Sequence, residues 1–257
     1  MKKIVGIPAR LGSSRFPGKP LCKILDYTMI EHCYIRSKLS DDIDDVFVAI
    51  CDESLKEFCI EKKINYIMTD PNISRPSLRV SSACEKIGLN DDDIVVVVQG
   101  DEPLVTPEMI SASIKPLTQY NDIHVSNLCY EINEVEKNDP NEIKVVMDNS
   151  MNAIYMSRSP IPSVDHEEER QKWYKQVCIM PFKWKFLYDF NNSLIKTPLE
   201  LQESIEMLRA IQHGFKVKMV ISEKKTKSVD CEEDRLEVEK IMMLDEHYIK
   251  YKKNEYS

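Results

Sequence analysis

Arg10, Arg15 and Lys19 are spread through a loop that also holds Gly12, Ser13, Ser14 and Gly18. Small residues let backbone N–H groups turn inward and form an anion nest. Three cations within that stretch suit a polyanion such as a triphosphate. The pattern is neither a Walker loop, because Lys19 is followed by Pro20, nor G-x-G-x-x-G. A solvated basic loop is the other reading of the same residues. A second group, Gln99-Gly100-Asp101-Glu102-Pro103, follows the run IVVVV. A carboxylate at the end of a buried strand is placed to hold Mg²⁺, a hard ion that shares oxygen ligands with substrate phosphates. A polar turn is its plainer reading. The third group is Ser228-Val229-Asp230 ahead of an acidic helix start. Asp230 reads either as a second metal carboxylate or as a helix cap.

These residues need elements to position them. Apolar Ile4, Val5 and Ile7 predict a strand over 2–7, and further strands are predicted over 46–50, 66–68 and 94–99. Helical patterns over 29–38, 53–62 and 77–87 separate them. Fully apolar strands alternating with helices mean a parallel sheet covered on both faces, with ligands at its carboxyl edge. From about residue 121 the pattern changes to antiparallel strands over 124–132, 143–147, 153–156 and 175–181. A helix over 199–213 ended by Gly214, a strand over 217–221 and a closing helix over 232–251 complete the chain. The expected fold is α/β, Rossmann-like, with a mostly parallel sheet and an antiparallel dimerisation subdomain.

Composition narrows the function classes. The 257 residues carry a net charge of −8, which argues against a nucleic-acid partner. No apolar run approaches the roughly 20 residues of a membrane span. The start, MKKIVGIPAR, has no long apolar stretch after its lysines and does not read as a signal peptide. Eight cysteines lack metal-site spacing and read as free thiols of a cytoplasmic protein. The acidic run 167–169 reads as a solvated loop.

Six segments together resemble the CMP-Kdo synthetase type of cytidylyltransferase (3-deoxy-manno-octulosonate cytidylyltransferases). They are IPARLGSSRFPGKPL (7–21), VQGDEP (98–103), NEIKVV (141–146), IYMSRSPIP (154–162), PLELQESIEMLRAIQHG (198–214) and SVDCEEDRLEVEK (228–240). The resemblance covers nearly the whole chain and implies a nucleotidyltransferase that joins CMP from CTP to a 2-keto-3-deoxy sugar acid, releasing pyrophosphate. It implies that Pro8, Ala9, Arg10, Ser13, Arg15, Lys19, Arg79 and Gly100 bind the nucleotide. Lys19, Arg15 and Asp101 would carry catalysis, and Asp101 and Asp230 would hold Mg²⁺. Gln99, Arg158, Gln176, Glu206 and Met207 would line the sugar-acid pocket. It further implies a homodimer, with residues 1–120 and 215–257 as nucleotide-binding core and 121–214 as sugar-binding and dimerisation subdomain.

The chain departs from that family at three places. H-x-S-G-T-D-R is replaced by Ile73-Ser74-Arg75-Pro76-Ser77-Leu78-Arg79, and K-H-x-G-I-Y by Lys175-Gln176-Val177-Cys178-Ile179-Met180. The Gln of L-E-Q-L-R becomes Met207. Gln176 and Met207 each replace a polar group of the sugar pocket, and a mismatch of buried donors discriminates strongly between substrates. The expected substrate is Kdo or a Kdo-like acid, and these losses predict poor use of Kdo or an acid other than Kdo, such as an amino-substituted or shortened analogue or a nonulosonate. The altered segment 73–78 also admits a nucleotide-binding homologue without activity. Met207 reads equally as core packing.

Overall fold

A computed structural model describes residues 1–12, 16–163 and 172–253. Twelve strands are present among the described residues: β1 (Lys3–Pro8), β2 (Lys23–Ile24), β3 (Tyr27–Thr28), β4 (Asp45–Ile50), β5 (Tyr66–Met68), β6 (Ile94–Val98), β7 (Val125–Ile132), β8 (Lys144–Met147), β9 (Ala153–Ser157), β10 (Trp173–Gln176), β11 (Ile179–Lys183) and β12 (Val217–Ile221). β2 and β3 form a small hairpin, and the others form one sheet of order β5-β4-β1-β6-β11-β7-β10-β8-β9, with β12 alongside β7. The block β5-β4-β1-β6 is parallel throughout. β12 runs parallel to β7, while β8 to β11 join the sheet antiparallel. The result is a Rossmann-like parallel core extended by antiparallel strands, as the sequence predicts.

Alternation along β6 shows why its run is unbroken. Val96 and Val98 pack with Val5, Ile7, Ile30 and Ile110 on one face. Val95 and Val97 pack with Ile4, Val80 and Phe182 on the other. A strand covered on both faces needs apolar residues at every position. The helices Met29–Lys38 and Pro107–Gln119 contribute to the first face, and Pro76–Cys84 and Trp184–Asn192 to the second.

Three expectations need correction. The strand over 175–181 is two strands, β10 and β11. β10 pairs with β7, and β11 crosses to pair with β6 along Ile179–Lys183. At the crossing, Val177 N–H donates to the Leu128 carbonyl and the Cys178 carbonyl accepts from Gln99 N–H. The helix over 199–213 is likewise two, Pro198–Glu203 and Met207–Gln212, parted by Ser204 in the left-handed region at φ 56°. There the Glu203 carboxylate is drawn to the neighbouring strand, where it accepts from Ser157 Oγ at 2.7 Å and Arg158 N–H at 2.9 Å. The closing helix divides into Glu232–Met242 and Glu246–Lys253. Asp245 sits at that break, accepting from the Arg36 guanidinium at 2.7 and 2.9 Å and from Tyr248 N–H at 2.8 Å.

Candidate active site

The carboxyl ends of β1 and β6 open onto a cavity of about 310 Å³. Pro8, Ala9 and Arg10 leave β1 into it, and Gln99, Gly100 and Asp101 leave β6 into it. Gly100 is required by the closeness of these two exits, because a Cβ there would lie 2.9 Å from the Pro8 carbonyl oxygen. The basic loop is tied at both ends. Leu11 N–H donates to Asp52 Oδ2 at 3.0 Å, and Gly18, at φ 71°, donates its N–H to the Leu11 carbonyl at 3.3 Å. A turn of helix at Lys19–Leu21 then carries the lysine inward. Ser13 and Arg15, with the nest expected around them, lie outside the described residues, as does the acidic run 167–169.

Lys19 Nζ donates to Asp101 Oδ2 at 2.8 Å and to Asp230 Oδ1 at 3.0 Å. Burial opposes the charge on this ammonium, but the two carboxylates outweigh burial and hold its pKa above the ordinary lysine value. Asp230 is not the cap of the following helix. That position is Cys231, and the Asp230 and Cys231 N–H groups both donate to Asp234 Oδ2. The two acids of the GDE motif also part company. Glu102 turns into the core, accepts from Thr226 Oγ1 at 3.0 Å, and is pushed up to about 7 by burial and by Asp101. Asp101 faces the cavity.

Two carboxylates, 101 and 230, thus converge on one cationic point from opposite parts of the chain. Among the described residues no group of three or more His, Cys, Asp or Glu is set to hold a metal. A pair of carboxylates with the remaining ligands supplied by substrate phosphates is what Mg²⁺ accepts, so the donor set fits that ion.

A second cavity, about 210 Å³, adjoins the first, and Arg75, Pro76, Gln99 and Asp101 border both. Its wall includes Arg158, Gln176, Glu206, Met207 and Asp230. The five sugar-pocket candidates are therefore brought together, and the structure gives each a setting. Arg158 is anchored by the Glu203 carbonyl at 3.0 Å and the Pro140 carbonyl at 3.1 Å. Gln176 Nε2 donates to Asn127 Oδ1 at 2.5 Å. Glu206 accepts from Ser77 Oγ at 2.6 Å, and burial raises its carboxyl above the usual glutamate value. Met207 is fully buried, belongs to a core cluster and still borders the cavity. Arg79 borders the first cavity but is spent on structure, donating to Thr69 Oγ1 at 2.6 Å and to the Ile73 carbonyl at 2.5 Å. It shapes the loop 69–73.

Sequence reasoning missed Arg75, which borders both cavities, and Asn141 and Ser204 in the second. Arg75 was detectable as a lone cation in a Ser/Pro-rich loop, and Asn141 as the first residue of NEIKVV. Ser204 depends on the helix break. The eight cysteines are free thiols, four of them buried. No helix among the described residues is long and apolar enough to cross a membrane.

Known proteins align with this arrangement. A cytidylyltransferase family model matches residues 4–227. An 8-amino-3,8-dideoxy-manno-octulosonate cytidylyltransferase of Shewanella putrefaciens is 38% identical over 236 residues, covering 91% of this chain and 96% of its own. Its counterpart in Shewanella frigidimarina is 37% identical over 239 residues, with the same coverage. A structure of CMP:2-keto-3-deoxy-manno-octonic acid synthetase complexed with CTP superposes with TM-score 0.87 at 30% identity, over 95% of this chain and 99% of that one. A 4-diphosphocytidyl-2C-methyl-D-erythritol synthase, at 14% identity and TM-score 0.63, shares the fold over 94% of this chain. With the paired aspartates and the twin cavities in place, the match over nearly the whole length makes this chain a member of the cytidylyltransferase family, a nucleotidyltransferase enzyme.

Proposed function

We propose that the chain transfers CMP from CTP to the anomeric hydroxyl of a Kdo-like 3-deoxy-2-keto sugar acid, and that this acid is 8-amino-3,8-dideoxy-manno-octulosonate. The observation that carries the reading is the junction of two cavities at Gln99 and Asp101, with Lys19 beside it. A nucleotide in the first and a sugar acid in the second would meet at that junction. The names of the Shewanella relatives support the amino-substituted acid.

The anomeric oxygen attacks the α-phosphorus in line and forms the new P–O bond. The bond from that phosphorus to the β-phosphate oxygen breaks, pyrophosphate leaves, and the hydroxyl proton passes to solvent. Such a transfer asks the protein for positioning and charge stabilisation. Lys19, Arg15 and Arg10 supply positive charge for the triphosphate, while Ser13 and the backbone at Pro8, Ala9 and Gly100 shape its seat. Arg75, at the junction, suits the carboxylate that lies one bond from the anomeric carbon. Mg²⁺ held by Asp101 and Asp230 would neutralise phosphate charge during the transfer.

Residues 1–120 and 215–257 would form the nucleotide core, and 121–214 the sugar-binding and dimerisation subdomain. Exposed Val135, Ile154, Ile195 and Leu201 on that subdomain support a homodimer. The free cysteines support a cytoplasmic location. A product of this kind would serve surface polysaccharide synthesis. Pyrophosphate release measured with four nucleoside triphosphates against the amino acid, Kdo and a nonulosonate tests the reaction. Release confined to CTP with an octulosonate is expected. Release with the nonulosonate alone, or none with any pair, would overturn it.

A further inference from the structure

We infer that Glu206 and Gln176 form a recognition site for the ammonium group of an amino-substituted sugar acid, and that this pair sets the preference for amine over hydroxyl. The inference rests on the substrate reading just given and assigns it to residues.

The argument starts from the acids of the second cavity. Three carboxylates border it: Asp101, Asp230 and Glu206. The first two already hydrogen-bond the Lys19 ammonium. Glu206 takes its hydrogen bonds from Ser77, a neutral donor. The nearest cations, Arg75 and Arg209, act on it through their charge and make their hydrogen bonds elsewhere. Arg209 spends its fork on Glu200 at 2.5 and 2.7 Å, and Arg75 donates to Ser204 Oγ at 3.3 Å. A desolvated carboxylate without a charged partner is costly, and an ammonium delivered by a ligand compensates it. Ile143, Met180, Ile205 and Met207 contribute apolar side chains to the otherwise polar wall, and such neighbours strengthen a direct ion pair.

Gln176 adds a second acceptor, because its amide orientation is fixed from behind. Asn127 Nδ2 lies 2.7 Å from the Val177 carbonyl and 3.1 Å from the Leu128 carbonyl, both of which can only accept. Asn127 must therefore present Oδ1 to Gln176, and Gln176 must answer with Nε2. Oε1, an acceptor, is the polar atom Gln176 keeps for the cavity. An ammonium carries three donors and no acceptor, so it matches a carboxylate and an amide carbonyl together. A hydroxyl matches one of them and leaves the charge uncompensated. Arg75 and Arg158 in the same cavity provide for the carboxylate end of a zwitterionic substrate.

The test compares kcat/KM, at saturating CTP and Mg²⁺, for 8-amino-3,8-dideoxy-manno-octulosonate, its N-acetyl derivative and Kdo. Wild type, Glu206→Gln and Gln176→His are assayed, with circular dichroism and CTP calorimetry as checks on folding. Wild type should prefer the free amine and lose at least about tenfold when it is acetylated. Glu206→Gln should lower the amine-to-hydroxyl ratio about tenfold or more, mainly through KM, and Gln176→His should lower it about threefold. A wild type that prefers Kdo overturns the substrate reading and this inference with it. A wild-type preference for the amine that Glu206→Gln leaves unmoved, both substrates falling together, overturns the inference alone. If Glu206→Gln fails to fold, equal turnover of the free and acetylated amines by wild type does the same.

Discussion

The two cavities are walled by different materials. The first is framed by backbone at the exits of β1 and β6, a glycine pressed against a carbonyl, and a loop tied at both ends, with Arg10, Lys19 and Asp101 also lining it. The second is largely side chain, gathered from β10, from the break between two short helices and from the loop ahead of Pro76–Cys84. A wall of backbone keeps its shape when side chains change. A wall of side chains changes its chemistry with each substitution. The departures from the Kdo-type pattern at Gln176 and Met207 fall on the second kind of wall, and the altered segment 73–79 borders both cavities. A common phosphate chemistry with a divergent sugar preference is the expected result.

The comparison breaks first if the paired aspartates at the junction are not essential. Asp101→Asn removes a charge and a ligand while keeping shape, and turnover should fall roughly a thousandfold. Pyrophosphate release at saturating Mg²⁺ checks this, and a folded variant with unchanged release would contradict the assignment. Asp230→Asn should behave alike. A drop in melting temperature with full activity would make Asp230 a structural residue.

The second cavity depends on a buried ion pair outside it. Glu200 is fully buried and grips Arg209, on the helix that begins at Met207. Glu200→Gln should cost about 3 kcal/mol, since the arginine is left buried without its counter-charge. Denaturant unfolding gives the loss, and KM for the sugar acid should rise more than KM for CTP. Equal changes in both would mean the pair supports the fold generally and not the sugar wall.

Acid separates the two sides differently. His32 lies among Tyr27, Tyr248 and Tyr251, beneath the hairpin that follows the phosphate loop. The Ile24 carbonyl can only accept, so Nε2 carries the proton and Nδ1 accepts from Tyr251 Oη. Burial lowers its pKa from 6.5 to about 4. Below about 6.5 the unfolded chain binds a proton that the folded one refuses. The stability is therefore full above that pH and is lost as pH falls toward 4, by about 2 kcal/mol at pH 5. Unfolding at pH 7.5 and pH 5 should show the loss in wild type and less of it in His32→Asn. Hydrogen exchange at pH 5 should loosen the hairpin and the last helix before the sugar-side strands.

The sequence carries the first cavity more openly than the second for a physical reason. β4, β5, β6 and β12 are legible as short β-branched or apolar runs, because each is defined by burial along its own length. Lys19 and Asp101 are legible as candidates from type and spacing alone, and the structure brings them together at the first cavity. The split between β10 and β11 is not, since it depends on which neighbour pairs with residues on either side of Val177 and Cys178. Ser204 turns left-handed because Glu203 is held by Ser157 and Arg158, and the last helix breaks where Arg36 meets Asp245. Both partners lie far away in sequence. Arg75 stands out locally as a lone cation in its loop, but its place between the cavities is set by the fold.

Gly100→Ala tests the backbone wall directly. The added Cβ meets the Pro8 carbonyl at 2.9 Å and Ile30 Cδ1 at 3.3 Å, and backbone cannot step aside as a flexible side chain can. Stability should fall by about 2 kcal/mol, with a weaker hold on CTP. Calorimetry and thermal melting read both effects. Unaltered CTP binding would show that the close approach of the two strand exits is not what forms the nucleotide seat.

The smallest effect, and the sharpest test of the side-chain wall, is at Met207. Its side chain packs in the core with Val80, Ile205 and Leu208 and also borders the second cavity. Met207→Gln restores the amide that the Kdo-type pattern places there, at nearly constant length. If the amide reaches a sugar hydroxyl, the new hydrogen bond is worth about 0.5–1.5 kcal/mol, or roughly twofold to tenfold in KM for Kdo. The cost is an amide at a position packed against apolar neighbours, so melting temperature should drop slightly. The informative quantity is the balance between the two. A lower KM for Kdo with little change in KM for CTP would make Met207 part of the substrate wall. A lower melting temperature with every kinetic constant unchanged would make it core packing, and would leave discrimination to Glu206 and Gln176.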